Sequence, residues 1–83
     1  MNNEDVTPAK IAREVVKELG GETTVAKICG IRGPSVYDWY RRGISQGNYR
    51  YLRLKFPHLK SWELEVLLPD GIVPYSSRQR IAD

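Results

Sequence analysis

Basic side chains are concentrated in the middle of the sequence. Residues 27–60 hold eight lysines and arginines and a single acid, Asp38, which gives this block a net charge of +7. Residues 1–26 and 61–83 each carry −2. A block of one sign favours a polyanionic partner, because each lysine or arginine can neutralise a phosphate. Solubility alone is the alternative explanation, but the near absence of acids from the block weighs against it. We therefore expect one face of the protein to meet nucleic acid.

Hydrogen-bonding side chains share one face of a predicted helix within this block. In the segment "SVYDWYRRG", Tyr37, Asp38 and Arg41 fall at i, i+1 and i+4, whereas Val36, Trp39 and Tyr40 fall on the opposite, inward face. Arginine can bridge guanine O6 and N7, aspartate can accept from cytosine N4, and tyrosine can contact a thymine methyl group or a phosphate. Asp38 can equally pair with Arg41 or Arg42 on its own helix, so both uses stay open.

The residue types that catalysis and metal binding require are scarce. Cys29 is the one cysteine, so no internal disulfide can form, and its place in a short helix favours a small core side chain. His58 has no serine, cysteine or acid beside it in a plausible proton relay. We expect no enzyme activity, no cofactor, no metal and no small-molecule substrate.

Length and composition favour one small soluble domain. The chain has 83 residues, of which 41% are hydrophobic and 28% charged. No apolar run approaches the ~20 residues that cross a bilayer. The first ten residues show neither the basic start nor the apolar stretch of a signal peptide, which favours an intracellular protein without membrane contact.

Four helices are predicted to position these side chains. Each has a start or stop signal, such as Thr7-Pro8 before the first and Gly20-Gly21 after it. Apolar residues recur at helical spacing inside each segment. The predicted helices run from Pro8 to Leu19, Glu22 to Cys29, Pro34 to Arg42, and about Gly47 to Phe56.

The segment after Pro57 is ambiguous. Trp62, Leu64, Val66 and Leu68 alternate with polar or acidic residues, and Pro69-Asp70-Gly71 is a turn signal, which together predict a β-hairpin over 62–74. Ser61 could instead cap a short helix ending at Leu68, and the leucines and glutamates favour that helix slightly. The sequence therefore predicts an all-α, compact bundle of four to five helices, with an α+β variant if the hairpin forms. Residues 1–6 are expected to be a disordered lead-in, 7–75 the single domain and 76–83 a flexible tail.

The second and third helices match the requirements of a helix-turn-helix. A small residue is needed where the helices cross (Ala26), a glycine in the turn four residues later (Gly30), and bulky apolar residues on the inner face of the second helix (Val36 and Trp39). In these positions, with Ile31 and the terminating Gly43, the chain from Leu19 to about Pro57 resembles the phage Cro and lambda-repressor-like helix-turn-helix proteins. That resemblance predicts a lambda-repressor-like fold.

The resemblance implies a small phage or prophage transcription repressor that binds operator DNA as a homodimer, in the cytoplasm of a bacterial host. The dimer would form through residues 60–75 or the outer face of the fourth helix. The positions expected to contact base edges are Arg32, Gly33, Pro34, Ser35, Tyr37, Asp38 and Arg41. Those expected to contact phosphates are Thr23, Thr24, Lys27, Arg42, Gln46, Asn48, Arg50 and Arg53. The alternative is a protein-interaction module of antitoxin or anti-repressor type, which would keep the helices but bind an acidic protein.

Overall fold

The computed structural model describes residues 6–76, and these residues form four α-helices followed by a 3₁₀ helix. None of the described residues lies in a β-strand, which confirms the expected all-α bundle. No helix in this part of the chain is both long and apolar enough to span a membrane. The elements are α1 (Pro8–Leu19), α2 (Glu22–Cys29), α3 (Gly33–Arg42), α4 (Gln46–Lys55) and the 3₁₀ helix (Lys60–Leu67).

Helix α1 provides the largest part of the core. It begins where the Thr7 side chain accepts a hydrogen bond from the Lys10 backbone N–H at 3.1 Å, just before Pro8 takes the first helical position. Its apolar stripe is almost completely buried against α3 and the 3₁₀ helix. The buried side chains of the stripe are Ile11, Ala12, Val15 and Val16.

A tight turn joins α2 to α3. Gly30 adopts the left-handed conformation, with φ of 69° and ψ of 35°, and Ile31 donates its backbone N–H to the Ala26 carbonyl at 3.0 Å. Residues other than glycine adopt this conformation only at a cost, which explains the position of Gly30 in the sequence. Helix α3 then begins at Gly33, one residue before the predicted start.

Helix α4 also differs by one residue at each end from its predicted bounds. It ends at Lys55, and Phe56 caps it by donating its N–H to the Leu52 carbonyl at 2.8 Å. Leu52 is fully buried and anchors α4 to the core.

Residues 60–67 form a 3₁₀ helix, so the slightly favoured helix is confirmed and the alternative hairpin over 62–74 does not form. Strand-like alternation of burial is also missing, since Trp62 is buried whereas Val66 is 84% exposed. Ser61 does not have the N-terminal capping position that the helical alternative gave it. It lies inside the helix and donates its hydroxyl to Glu18 of α1 at 2.6 Å. The Glu18 carboxylate also accepts the backbone N–H groups of Lys60 and Ser61, both at 2.9 Å. Glu18 therefore caps the 3₁₀ helix from a distant part of the chain.

The ordered structure extends by one residue beyond each predicted end of the domain, 7 and 75. Val6, which we expected in the disordered lead-in, is buried in the core. Ser76, which we expected in the flexible tail, donates its backbone N–H to the Ile44 carbonyl at 2.8 Å. The rest of the predicted lead-in and tail, residues 1–5 and 77–83, lies outside the described residues.

Candidate nucleic-acid interface

Helix α3 has one buried and one exposed face, as its sequence predicts. Val36 is fully buried and Trp39 is 4% exposed, so the inner face is fixed in the core against α1 and α2. Tyr37 is 56% exposed, and the Arg41 side chain is 72% exposed. The outer face of α3 is therefore available to a partner, on a helix held by the apolar residues behind it.

The start of α3 lies at the surface. Arg32 is exposed and extended, with φ of −88° and ψ of 154°, and Pro34 and Ser35 are exposed in the first turn. Gly33 is half-buried. Gly33 and Pro34 have no side-chain donors, so Arg32 and Ser35 supply the hydrogen-bonding side chains at this end of the helix.

Asp38 is paired with both arginines of the last turn of α3. Its carboxylate lies 3.3 Å from Arg41 Nη2 and 3.6 Å from Arg42 Nε. These i, i+3 and i, i+4 pairs are partly exposed and contribute little to stability. The two pairs matter more for position than for stability, because Asp38 holds the guanidinium groups of Arg41 and Arg42 close to each other at the end of α3. The structure shows the local pairing of Asp38, and contact with a base would require it to share or release an arginine.

A tyrosine pair links the outer face of α3 to the start of α2. The Tyr37 ring meets the Tyr40 ring edge-on, with centroids 5.7 Å apart. The Tyr40 hydroxyl donates to Glu22 Oε2 at 2.7 Å, and this bond lowers the pKa of Glu22. Burial, and then the bond to Glu22, raise the pKa of Tyr40 to about 12. Arg13 of α1 adds a third tie by donating to the Tyr40 carbonyl at 3.2 Å.

The Glu22–Tyr40 bond was not foreseen from the sequence. Glu22 stands at the start of α2, where its negative charge would repel a phosphate. Its carboxylate instead binds Tyr40, 18 residues later in the chain. Periodicity places Tyr40 on the inner side of α3 but does not identify the partner of its hydroxyl. No local signal could have found this pair.

The α2 residues predicted to contact phosphates are at the surface. Thr23, Thr24 and Lys27 are all exposed. Gly21 caps the helix without a side-chain hydrogen bond, and the Glu22 carboxylate accepts from the backbone N–H of its own residue. The following backbone N–H groups of the first turn are the donors that remain for an anion. The threonine hydroxyls can add to these backbone donors.

The residues of α4 that were predicted to contact phosphates differ in exposure. Gln46 and Arg50 are exposed. Asn48 is half-buried, and its side-chain amide donates to Ser45 Oγ at 2.8 Å. The side-chain amide of Asn48 therefore bonds to the residue before α4, a contact that the sequence did not predict.

Arg53 is partly exposed, and its guanidinium group is engaged in contacts within the protein. Its Nη2 lies 3.4 Å from Glu65 Oε1, and its guanidinium carbon lies 5.1 Å from the centroid of the Trp62 ring. The Tyr49 hydroxyl donates to the other oxygen of the same carboxylate at 2.7 Å. Arg53 thus joins α4 to the 3₁₀ helix, and a phosphate would have to compete with Glu65 for its guanidinium group.

The packing of α2 brings the candidate elements together. Helix α2 carries exposed candidate residues itself and packs against both α3 and α4, the two other helices that carry them. Together they offer guanidinium, ammonium, amide and hydroxyl donors, which suit phosphates and base edges. A groove elsewhere contains none of the predicted contact residues, and it is lined by Glu14, Lys17, Glu18, Lys60, Ser61 and Leu64.

Candidate metal ligands and the one cysteine were also located in the described part of the chain. No group of three or more histidine, cysteine, aspartate or glutamate side chains within residues 6–76 could hold a metal ion. Burial raises the pKa of the Cys29 thiol, which disfavours the reactive thiolate.

Comparison with protein-family models, curated proteins and solved structures finds no match to this chain.

Proposed function

We propose that this protein is a sequence-specific DNA-binding transcriptional regulator, a repressor of the Cro type that binds its operator as a homodimer with α3 in the major groove. The observation that carries this proposal is the division of α3 into two faces. Val36 and Trp39 bury one face, and Tyr37 and Arg41 are exposed on the other. A rigid helix with polar side chains on an accessible face, preceded by a short helix and a glycine turn, has the form that enters the major groove.

The charge distribution supports the same partner. The block from 27 to 60 carries +7, and α2, α3 and α4 all fall within it or overlap it. Arg32, Arg41 and Arg50 are exposed. Each of them can displace a condensed counterion from DNA, which contributes affinity at low salt without regard to base sequence.

Discrimination between sequences rests on few side chains. Arg41 can make the bidentate contact with guanine O6 and N7, and Arg32 is the second candidate for such a contact. Tyr37 can meet a thymine methyl group, while the half-buried Gly33 contributes only backbone. We therefore expect a short half-site with one or two strongly preferred bases.

Two binding experiments test the proposal. Affinity for random duplex DNA, measured by fluorescence anisotropy between about 50 and 200 mM salt, should fall steeply because counterions are released on binding. Selection from random oligonucleotides should then recover an inverted repeat. DNA binding that is absent or insensitive to salt would overturn the proposal. Salt-dependent binding without a consensus sequence would remove its sequence-specific part.

A further inference from the structure

Tyr37 is the large aromatic side chain on the exposed face of α3. It is 56% exposed, so more than half of its surface is open to solvent. An exposed side chain exchanges between rotamers unless a neighbour holds it. Contact with one base requires a single orientation, and a side chain that becomes ordered only on binding loses affinity. The residues that orient the Tyr37 ring therefore matter to recognition as much as the ring itself.

The neighbour of Tyr37 on the same helix is Tyr40. The two rings meet edge-on, with an angle of 86° between their planes and 5.7 Å between their centroids. The residues are three positions apart, so their side chains are adjacent on the helix surface. The edge-on arrangement is one that the charge distribution of aromatic rings favours. The Tyr40 ring thus supports one orientation of the Tyr37 ring over the others.

Tyr40 is itself held by two other helices. Its hydroxyl donates to Glu22 Oε2 of α2 at 2.7 Å. Its backbone carbonyl accepts from Arg13 of α1 at 3.2 Å, and the residue is half-buried. The backbone fixes one end of the Tyr40 side chain and Glu22 fixes the other, so the ring cannot turn away without breaking the hydrogen bond. Tyr40 therefore has the fixed orientation that an exposed Tyr37 would lack by itself.

From this series of contacts we infer that Tyr40 is a positioning residue for DNA recognition: Glu22 orients the Tyr40 ring, and the Tyr40 ring orients Tyr37 toward one base of the operator. Tyr40 acts without touching DNA. The group that Tyr37 reads is the C5 methyl of a thymine, to which its ring offers an apolar surface. The inference rests on the proposed function, because it states how one of the exposed side chains of α3 obtains its specificity.

Tyr49 provides a matched control elsewhere in the molecule. Its hydroxyl donates to Glu65 at 2.7 Å, and its ring meets the Trp62 ring edge-on with centroids 5.6 Å apart. Like Tyr40 it is half-buried, but it joins α4 to the 3₁₀ helix and not α3 to α2. The same substitution at Tyr40 and at Tyr49 therefore removes comparable contacts, and only the change at Tyr40 acts on Tyr37.

Nuclear magnetic resonance of the full chain without DNA tests the positioning. Three-bond couplings across χ1 of Tyr37 should indicate one dominant rotamer in the wild type and averaged rotamers in Tyr40→Leu, which removes the ring. Tyr40→Phe keeps the ring and should lie between them, and Tyr49→Leu should resemble the wild type. Circular dichroism checks that each variant is folded. Couplings of Tyr37 that are unchanged in both Tyr40 variants would overturn the inference.

Binding to a single half-site tests the effect on recognition, because dimerisation does not contribute there. The measured quantity is the ratio of affinities for two half-sites that differ at the one base pair where Tyr37→Ala abolishes the preference for thymine. Tyr40→Leu should reduce this ratio by about fivefold, as the loss of one base contact does. Tyr49→Leu should leave the ratio unchanged, even if it makes the protein less stable.

Substitutions of Glu22 separate its hydrogen bond from its charge. Glu22→Gln keeps an oxygen that can accept from the Tyr40 hydroxyl, so the ratio should stay that of the wild type. Glu22→Ala removes the acceptor and should lower the ratio. Both variants lose a negative charge, so both should bind all duplexes more tightly. A wild type that binds no DNA would overturn the proposed function. A wild type that binds its operator, with a ratio unaffected by Tyr40→Leu and Glu22→Ala, would overturn this inference alone.

Discussion

At the level of single residues, the proposed function assigns base recognition to Arg41 and phosphate binding to Arg50. Arg41→Ala should cost about 1–3 kcal/mol on the preferred operator and much less on random DNA, because it removes a bidentate base contact. Arg50→Ala should weaken both DNAs alike and reduce the salt slope by about one. Anisotropy titrations of both variants on both DNAs measure these changes. Equal losses on the two DNAs for Arg41→Ala would exclude it as a base contact.

Tyr40 gives the fold a dependence on alkaline pH. Only the protonated hydroxyl can donate to Glu22, and burial and this bond raise the pKa of Tyr40 from 10.0 to about 12. Because the pKa is higher in the folded than in the unfolded state, the stabilisation is complete below pH 10 and is lost as the pH rises through about 12.

Tyr40→Phe should therefore lower the melting temperature by a few degrees at pH 8, and the difference from the wild type should shrink between pH 10 and 12. Thermal unfolding followed by circular dichroism measures both. Tyr51→Phe is the control, because Tyr51 is exposed. A constant difference across this pH range would show that the Glu22–Tyr40 bond does not contribute to stability. Tyr49, whose pKa is also raised to about 12 by burial and by Glu65, will still titrate in the variant.

The sequence predicted which side chains of the site are exposed, but it did not predict which distant side chains they contact. Helical periodicity is local, so it correctly placed Tyr37 and Arg41 outside and Trp39 inside. The partners of Tyr40 and Arg53 lie 18 and 12 residues away in the chain, on other helices. Periodicity within one helix indicates which side faces inward, but not which side chain of a neighbouring helix it meets.

At the scale of the elements, glycine and proline signals and helical periodicity made α1 to α4 predictable, whereas strand-like alternation made the 3₁₀ helix ambiguous. Thr7-Pro8 and Gly30 define helix ends by their own conformation, and the observed bounds agree with the predicted ones to within one residue. Like α2, α3 and α4, the 3₁₀ helix has no side-chain cap at its own N-cap residue. Its first two backbone N–H groups, those of Lys60 and Ser61, donate instead to Glu18, some 42 residues earlier. A cap supplied from another helix leaves no signature in the local sequence.

Three glycines test the backbone requirements of these elements. Gly43→Ala should be the most destabilising, because φ is 101° and a Cβ would lie 2.8 Å from Pro8 Cβ and 3.2 Å from the Ser76 backbone nitrogen. Gly30→Ala should cost about 1–2 kcal/mol, since its φ of 69° is unfavourable but the space is open. Gly47→Ala should stabilise α4 by roughly 0.5 kcal/mol, because this helical position is open and alanine restricts the unfolded chain.

Urea unfolding of the three variants measures this order. If Gly43→Ala lowers the free energy of unfolding no more than Gly30→Ala does, the packing of Pro8 and Ser76 around the end of α3 relaxes easily. Destabilisation by Gly47→Ala would show that the first turn of α4 requires the flexibility of glycine. Either result would revise the account of how the helix ends are held.

At the scale of the whole molecule, the size of one protomer suits a dimer on consecutive turns of DNA. The principal extents are 36 × 33 × 22 Å. The centres of two operator half-sites one helical turn apart are about 34–36 Å from each other. In the proposed homodimer, the width of one protomer is thus similar to the spacing of two half-sites.

Since the proposed homodimer is expected to form through residues 60–75 or the outer face of α4, dimerisation and DNA contact by α3 should be separable by mutation. Val66→Ser should leave affinity for a single half-site unchanged, because Val66 is not among the candidate DNA contacts. It should weaken binding to the full inverted repeat by about 10²-fold or more, since the second half-site is then no longer bound at a high effective concentration. Arg41→Ala should weaken binding to the half-site and the full repeat while leaving the dimer intact. Titrations of both variants on both DNAs, at a fixed salt concentration, measure the separation. An equal loss on the half-site from Val66→Ser would mean that the 3₁₀ helix itself contacts DNA, and the two surfaces would then have to be treated as one.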